Sequence, residues 1–540
     1  MTHPVAQRAL LHFNALFPPD DAITGPKPAL TRQQARKNEH SGEVGCLMNI
    51  EKRARSVDER PRLGAAEMTS LKESGDHRSR PTNVSRHQPT LVSLFAGAGG
   101  LDIGLEQAGF RSVLATDINH DACETLRSNR HLHDIDPSGF DAWALKSVIS
   151  QRCHAGLKLP QIEAFVGRIR GTIGHRRTRG PDQVIEGDIR LLTAEKILGD
   201  AGLKVGELDL LAGGPPCQPF SRAGKREMMS TSDGLLFLEF IRLIDDIQPR
   251  FFLFENVKGM VIQKSPVKTV KCVDCGHIDL PKFESIYLMN DGDRSTTACV
   301  QCQSADAFVN INDVRGGALQ IVENEFRKTG YRIHSAVLNA ADFGAPQARE
   351  RIIIVGSRDG ETFQFPAHTH SAKVGQNRQH SFLTEALQPW VTMADSIFSK
   401  PHRKYGQLSH DKARLWVKNV VRPHDEPVTW TLDRIAPTVG AHQSAKLAIA
   451  PYGVPEAQLQ RQQWHVHGRR QGDTPPVPVE HEYLSDEDLL ALQTFPTDWY
   501  LHGTRMERAF QIGNAVPPIL AKAIGSSLIS QLTTQVSEAA

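Results

Sequence analysis

One cysteine lies in the stiffest loop of the chain, Gly213-Gly214-Pro215-Pro216-Cys217-Gln218-Pro219-Phe220-Ser221. Prolines fix φ and remove backbone donors, so a thiol held there has little room to wander. The residues before it, Leu208-Asp209-Leu210-Leu211-Ala212, have the apolar character of a short buried strand. Loops at the C-terminal ends of such strands are where α/β folds place their chemistry. Cys217 is therefore a candidate nucleophile. The plain alternative is a small buried thiol in a turn. A second apolar run, Phe251-Phe252-Leu253-Phe254, ends in Glu255-Asn256-Val257. That carboxylate is placed for acid–base work unless it is a solvated strand-end charge. A third feature is Gln347-Ala348-Arg349-Glu350-Arg351, which leads into Ile352-Ile353-Ile354-Val355. Alternate residues of an extended segment share a face, so Arg349 and Arg351 point the same way. They could meet a phosphate or a base carbonyl, or they could flank a buried strand at the surface.

Something must position these groups, and the apolar pattern supplies it. Leu91-Val92-Ser93-Leu94 runs into Phe95-Ala96-Gly97-Ala98-Gly99-Gly100 and then an amphipathic helix. Glycines at Gly97, Gly99 and Gly100 let backbone approach a ligand, and a helix start offers free N–H groups. The same pattern also serves as a simple tight turn. Ser112–Thr116 is a further strand and ends in Asp117, followed by Ile118. Asp117 can accept hydrogen bonds from ribose hydroxyls, cap the next helix, or do both. Strands alternating with helices predict an α/β fold: a Rossmann-like, doubly wound, mostly parallel sheet.

The ordered set of motifs resembles the DNA cytosine-C5 methyltransferases. It comprises Phe95–Gly100, Asp117, Gly187-Asp188-Ile189, Pro215–Gln218, Glu255–Val257, Gln347–Arg351 and Gly513-Asn514-Ala515-Val516-Pro517-Pro518. Ile435–Val439 resembles the end of that family's target-recognition region, and Leu484–Pro496 the segment before its last motif. Where the family has glutamate and arginine, this chain has Asp488 and Ala491. The gap between Asp117 and Asp188 is also unusually long. The resemblance implies S-adenosylmethionine as methyl donor, held by Phe95, the glycines, Asp117, Ile118, Asp188 and Asn514. It implies Cys217 as the nucleophile at cytosine C6, Glu255 at N3 and the exocyclic amine, and Arg351, with Arg349 nearby, at the base carbonyl. A base flipped out of double-stranded DNA follows from where the target atoms lie. It further implies a bacterial, cytoplasmic modification enzyme, with a cognate restriction endonuclease as a possible partner, able to act as a monomer. Three rivals remain open: a catalytically silent DNA-binding protein on this scaffold, a nicotinamide or flavin dehydrogenase, and an RNA cytosine methyltransferase.

Composition sets the bounds. The chain has 540 residues, 39% of them hydrophobic, and a net charge of +2, enough for two or three domains and no announcement of a nucleic-acid partner. No run of eighteen apolar residues is evident, so no membrane span is expected. Residues 1–88 are polar and aperiodic, as a flexible tail would be, apart from one short helical pattern at Leu10–Phe17. A catalytic domain is expected over 89–360, a target-recognition domain over 361–480, and a segment returning to the catalytic domain over 481–540. The recognition domain is rich in His, Gln, Arg and Pro, with Trp390, Trp416, Trp430 and Trp464 among them. Two insertions interrupt the catalytic domain. The one near 130–182 carries Arg168, Arg170, Arg176, Arg177 and Arg179, a mobile loop for phosphates or merely a solvated one. The one near 262–312 carries Cys272-Val273-Asp274-Cys275 and Cys299-Val300-Gln301-Cys302, with 23 residues between the pairs. Two such CxxC turns predict a four-cysteine zinc ribbon with a structural metal, His277 being a neighbour and not a ligand. Of the 8 cysteines, Cys46, Cys123 and Cys153 are left without a role.

Overall fold

A computed structural model describes residues 88–144, 147, 166–176, 178–216, 236–262, 264–279, 298–299, 301–305, 307–315, 317–372, 387–398, 413–421, 427–441, 447–451 and 482–538. The helix expected at Leu10–Phe17, together with Cys46, Cys153, Arg177, Cys217 and Trp464, lies outside those residues. The chain divides into two units, residues 88–131 with 177–540, and residues 1–87 with 132–176. The first of these carries every motif discussed above except part of the basic loop.

Its elements alternate as β1 (Thr90–Leu94), α1 (Gly100–Ala108), β2 (Arg111–Asp117), α2 (His120–Asp134), α3 (Pro137–Ala144), β3 (Gln183–Glu186), α4 (Ala194–Ala201), β4 (Leu210–Gly213), α5 (Leu236–Ile247) and β5 (Phe251–Val257), residues 132–134 of α2 and all of α3 belonging to the other unit. A ribbon of β6 (Lys264–Cys272), β7 (Ile278–Asp279) and β8 (Ala307–Arg315) follows, then α6 (Gly317–Lys328), β9 (Arg332–Asn339) and β10 (Glu350–Ser357). One sheet has the order β3-β2-β1-β4-β5-β10-β9. From β3 to β5 the pairs are parallel, and β10 is antiparallel to both neighbours. This is the expected α/β, mostly parallel sheet.

The continuous apolar runs are explained by two covered faces. In β5, Phe252 and Phe254 enter the core formed with α4, α5 and α6, while Phe251 and Leu253 enter the core on the other side. β10 divides likewise, Ile352 and Ile354 one way, Ile353 and Val355 the other. Phe252 stacks on Phe326 of α6 at 4.7 Å between ring centroids.

A smaller sheet is built from β11 (Ala413–Val421), β12 (Pro427–Thr431), β13 (Leu447–Pro451) and β14 (Glu482–Tyr483), in the order β12-β11-β13-β14. Then come α7 (Asp486–Leu492), α8 (Arg505–Asn514) and α9 (Pro518–Glu538). Ser485 and Asp488 form a capping box at the start of α7, and Arg508 pairs with Asp486 at 2.7 Å. Asp488 thus has a local backbone role here. One helical stretch among the described residues meets the length and mean hydropathy of a membrane span without being an unbroken apolar run. Residues Arg505–Leu532 pass by length and composition, but 61% of the window is buried inside the protein. It is broken at Ala515–Pro517, and Leu520, Ile524 and Leu528 of α9 pack in the same core as Leu101 and Leu105 of α1, as core helices do.

A buried and a half-buried carboxyl on α1 make stability depend on pH. Asp102 accepts from the Ser93 hydroxyl at 2.9 Å and the Ser112 hydroxyl at 3.2 Å. Burial pushes it up to about 6 and Glu106 up to about 7. A raised carboxyl favours the folded state fully below its unfolded value and loses that contribution as pH rises through the folded value. Warming at pH 5 and at pH 8 should therefore show a less stable protein at pH 8. Asp102→Asn keeps partners for both serines and should flatten that difference by on the order of 1 kcal/mol, since only the interval from pH 5 to about 6 lies below the folded value. An unchanged pH slope in the variant would count against the buried carboxyl as its source.

Candidate active site

The candidate residues converge on one edge of the large sheet. Parallel strands bring the loops after β1, β2, β3, β4 and β5 to their common C-terminal edge. Because β10 runs the other way, its beginning lies at that edge, and Arg351 stands opposite Val257 in register. The Arg351 Nε lies 2.8 Å from Oε1 of Glu255, and each side chain is only 11% exposed. Buried charges hold only when paired this closely. Arg351 Nη1 also donates to the Glu350 carbonyl at 2.9 Å, which fixes the plane of the guanidinium.

The Pro-Pro loop is built against this pair. A Cβ on Gly214 would stand 2.7 Å from Oε2 of Glu255, so only glycine admits the carboxylate at that spot. Asn256 Nδ2 donates to the Pro215 carbonyl at 3.3 Å, and its Oδ1 accepts from Val257 N at 2.9 Å. Asn256 is the strut between the carboxylate strand and the loop, a role its place beside Glu255 did not announce. The described chain reaches exposed Pro216, next to Cys217, and resumes at Leu236.

The residues expected to hold the methyl donor line the neighbouring loops. Phe95, Gly97 and Gly99 all have positive φ, at 54°, 54° and 81°. The backbone so curled presents Gly97 N to Asp117 Oδ2 at 2.8 Å, while Asn119 N donates to Oδ1 at 2.8 Å. Burial raises the Asp117 carboxyl above its ordinary range. A carboxylate has about four lone-pair sites, so two remain for hydroxyls. Nothing stands within 4 Å of a Cβ built on Gly97, which leaves a cradle beside the loop. Ile118 is 67% exposed, unusual for an aliphatic side chain following a buried acid, and suits a flat apolar ring. Asp188 caps the short turn after β3, and Arg190 grips it through both oxygens, holding its carboxyl below the usual range. Asn514 is exposed at the end of α8, and Gly100 is buried at the start of α1. The Trp499 indole donates to the Ala98 carbonyl at 3.0 Å and pins the glycine loop from the C-terminal segment.

Arg349 behaves differently from the contact expected of it. It is 1% exposed, and its guanidinium donates to the carbonyls of Val439 at 3.0 Å, Gly513 at 3.0 Å and Asn514 at 3.2 Å. With its two Nη groups on these carbonyls and its side chain buried, Arg349 fastens backbone here, while Arg351 reaches the carboxylate. The basic loop is mixed in its surroundings, with Arg170 exposed and Arg168 half-buried. Arg176 is buried, and Arg179 pairs with Asp182 at 3.3 Å. Trp390 donates its indole N–H to Asp342 at 2.9 Å, which anchors it within the protein. Cys123 is buried and its thiol is pushed up to about 12, mainly by burial, so it is inert.

The four ribbon cysteines come together. Their sulfur atoms all lie within 4.8 Å of one another. Cys272 and Cys302 are 3.5 Å apart, and Cys275 and Cys299 are 3.6 Å apart. Four thiolates around zinc at about 2.3 Å stand about 3.8 Å from each other, whereas a disulfide needs about 2.05 Å. Both turns close alike: Cys272 N donates to His277 O, and Cys299 N to Ser304 O, at 2.8 Å each. His277 contributes its carbonyl, as a neighbour.

A family model described as C-5 cytosine-specific DNA methylase matches residues 90–146, 176–273 and 311–530. Its two internal gaps fall within the two insertions. The chain is 33% identical over 312 residues to the Type II methyltransferase M.AquIA of Picosynechococcus sp., covering 58% of this chain and 88% of that protein. It is 25% identical over 456 residues to the Type II methyltransferase M1.HphI of Haemophilus parahaemolyticus, covering 83% and 88% respectively. Among solved structures, the S. pombe Dnmt2 methyltransferase matches with a TM-score of 0.43 and 14% identity, over 82% of this chain and 99% of that one.

Proposed function

We propose, since this chain belongs to the C-5 cytosine-specific DNA methylase family, that it methylates C5 of cytosine at a specific sequence in double-stranded DNA, using S-adenosylmethionine. The observation that carries this reading is the buried Glu255–Arg351 pair packed against the glycine of the Pro-Pro-Cys loop. S-adenosylmethionine supplies an electrophilic methyl group on a sulfonium. Phe95, Gly97, Gly99, Gly100, Asp117, Ile118, Asp188 and Asn514 hold it, Asp117 taking ribose hydroxyls and Ile118 lying on the adenine. Cys217 adds to C6 of a flipped cytosine, which moves electron density to C5. Glu255 binds N3 and the exocyclic amine and stabilises the charge that develops on the ring. Arg351 holds Glu255 in place and faces the base carbonyl. Loss of the C5 proton then expels the thiolate.

The sheet of β11 to β14, with the rest of 361–480, reads the DNA sequence. The enzyme acts as a monomer, since a single active site treats one base, and it is the modification half of a restriction system, by analogy with its Type II relatives. Purified protein, radiolabelled S-adenosylmethionine and unmethylated duplex DNA test this, with transfer RNA alongside and bisulfite sequencing of the product. Label on cytosine at one recurring sequence is expected. Label on the RNA alone, or on neither with donor still bound, would overturn the DNA reading.

The CxxC pairs hold one structural zinc that folds the ribbon and takes no part in transfer. A four-thiolate site is closed, with no position left for substrate. Elemental analysis should find about one zinc per chain, and Cys299→Ser should lose it and loosen the ribbon to proteolysis. Metal content untouched by that substitution would contradict the assignment.

A further inference from the structure

We infer, resting on that reading, that Gln347 and Arg349 are positioning residues that couple the seating of the recognition segment to the catalytic Glu255–Arg351 pair. Gln347, Arg349 and Arg351 alternate along one extended stretch and therefore share a face. The first two are 0% and 1% exposed. Between them they capture both backbone groups of one residue at the end of the recognition region. Val439 N donates to Gln347 Oε1 at 3.1 Å, and Val439 O accepts from Arg349 at 3.0 Å.

The remaining donors reach the C-terminal segment. Gln347 Nε2 donates to Leu492 O at 2.6 Å and Gln493 Oε1 at 2.8 Å, and Gln493 Nε2 donates to Ile512 O at 2.7 Å. Arg349 reaches Gly513 and Asn514. Main-chain bonds complete the seam, Ala348 N to Ala436 O and Ala436 N to Pro346 O, both at 2.8 Å. A Cβ on Gly513 would strike Ala441 N at 2.5 Å, so the seam is closed tightly as well as bonded. Three distant pieces of chain meet on the two residues just before the catalytic arginine. Residues 436–439 are bonded to the stretch that runs directly into β10, so drawing them away would pull on Arg351, two residues beyond Arg349. The buried, fully engaged amides make the join rigid, which is what transmits a displacement. A shift of about 1 Å at reacting groups costs about 10²-fold in rate.

The test compares the full chain with Gln347→Leu, Arg349→Lys and the milder surface variant Thr438→Val, whose hydroxyl donates to Ala348 O at 2.5 Å. Rates are normalised to chains that bind S-adenosylmethionine, which removes misfolded protein from the comparison. The coupling predicts kcat lower by about tenfold or more for the two buried variants and by about threefold for Thr438→Val. KM for S-adenosylmethionine should stay within about twofold for Gln347→Leu and Thr438→Val, and in all three variants the preference for the cognate site over a site with one base changed should narrow. Unchanged kcat and preference per binding-competent chain, or donor affinity and melting temperature falling in step with activity, would reduce the seam to ordinary packing and overturn the coupling. An unaltered chain that leaves DNA unlabelled defeats the parent reading instead, and the coupling with it.

Discussion

A Cys217→Ser chain is expected to bind S-adenosylmethionine and DNA as the unaltered chain does and to methylate at least about 10⁴-fold more slowly. The cytosine ring is electron-poor at C6 and unreactive at C5. Only addition of a strong nucleophile at C6 makes C5 able to take a methyl group. A thiol offers some thiolate at neutral pH, whereas a serine hydroxyl offers essentially no alkoxide without a base to activate it. Placement is unaffected, because serine is nearly isosteric and the loop is fixed by others: Asn256 on the Pro215 carbonyl, and Glu255 against Gly214. Single-turnover methylation with binding measured in parallel checks this. A serine chain that still methylates would remove the covalent step from the account.

Glu255→Gln is expected to lower the rate of transfer by about 10² to 10³-fold with little change in donor affinity. Glutamine can still accept from the exocyclic amine. It brings no negative charge to balance Arg351 and no proton to share with N3 as the ring becomes electron-rich. Arg351→Met should do a different kind of damage. It leaves the Glu255 carboxylate, 11% exposed, without its partner at 2.8 Å. Stranding one member of a buried pair costs on the order of 3 kcal/mol, so melting should fall along with activity. The double variant Glu255→Gln/Arg351→Met should recover stability over Arg351→Met but no activity. Equal stability in all three chains would mean that the pair is not a unit.

The local chemistry was legible because it is encoded locally. Phe251–Phe254 is apolar without a break since both faces of β5 are covered, and Glu255 follows at the strand end where the chain leaves the core. The CxxC turns needed only spacing. The two arginines show where sequence runs out. Arg349 and Arg351 share a face and an identity, and nothing in the stretch says which is free to act. That is decided by Val439, Gly513 and Asn514, 90 to 165 residues away. Gln347 was passed over for the same reason, since its partners are equally remote. The acid that pairs with Arg179, Asp182, likewise stands outside the basic run.

The covalent step can be caught directly. Duplex DNA with 5-fluorocytosine in place of cytosine carries no proton at C5, so once the methyl group has been added the cysteine cannot be expelled. Incubated with S-adenosylmethionine, the protein should become attached to this DNA through a bond that survives denaturation, and peptide mass spectrometry should place that bond on Cys217. Attachment through another residue, or methylation of ordinary DNA by a protein that never becomes trapped on the fluorinated duplex, would contradict the account.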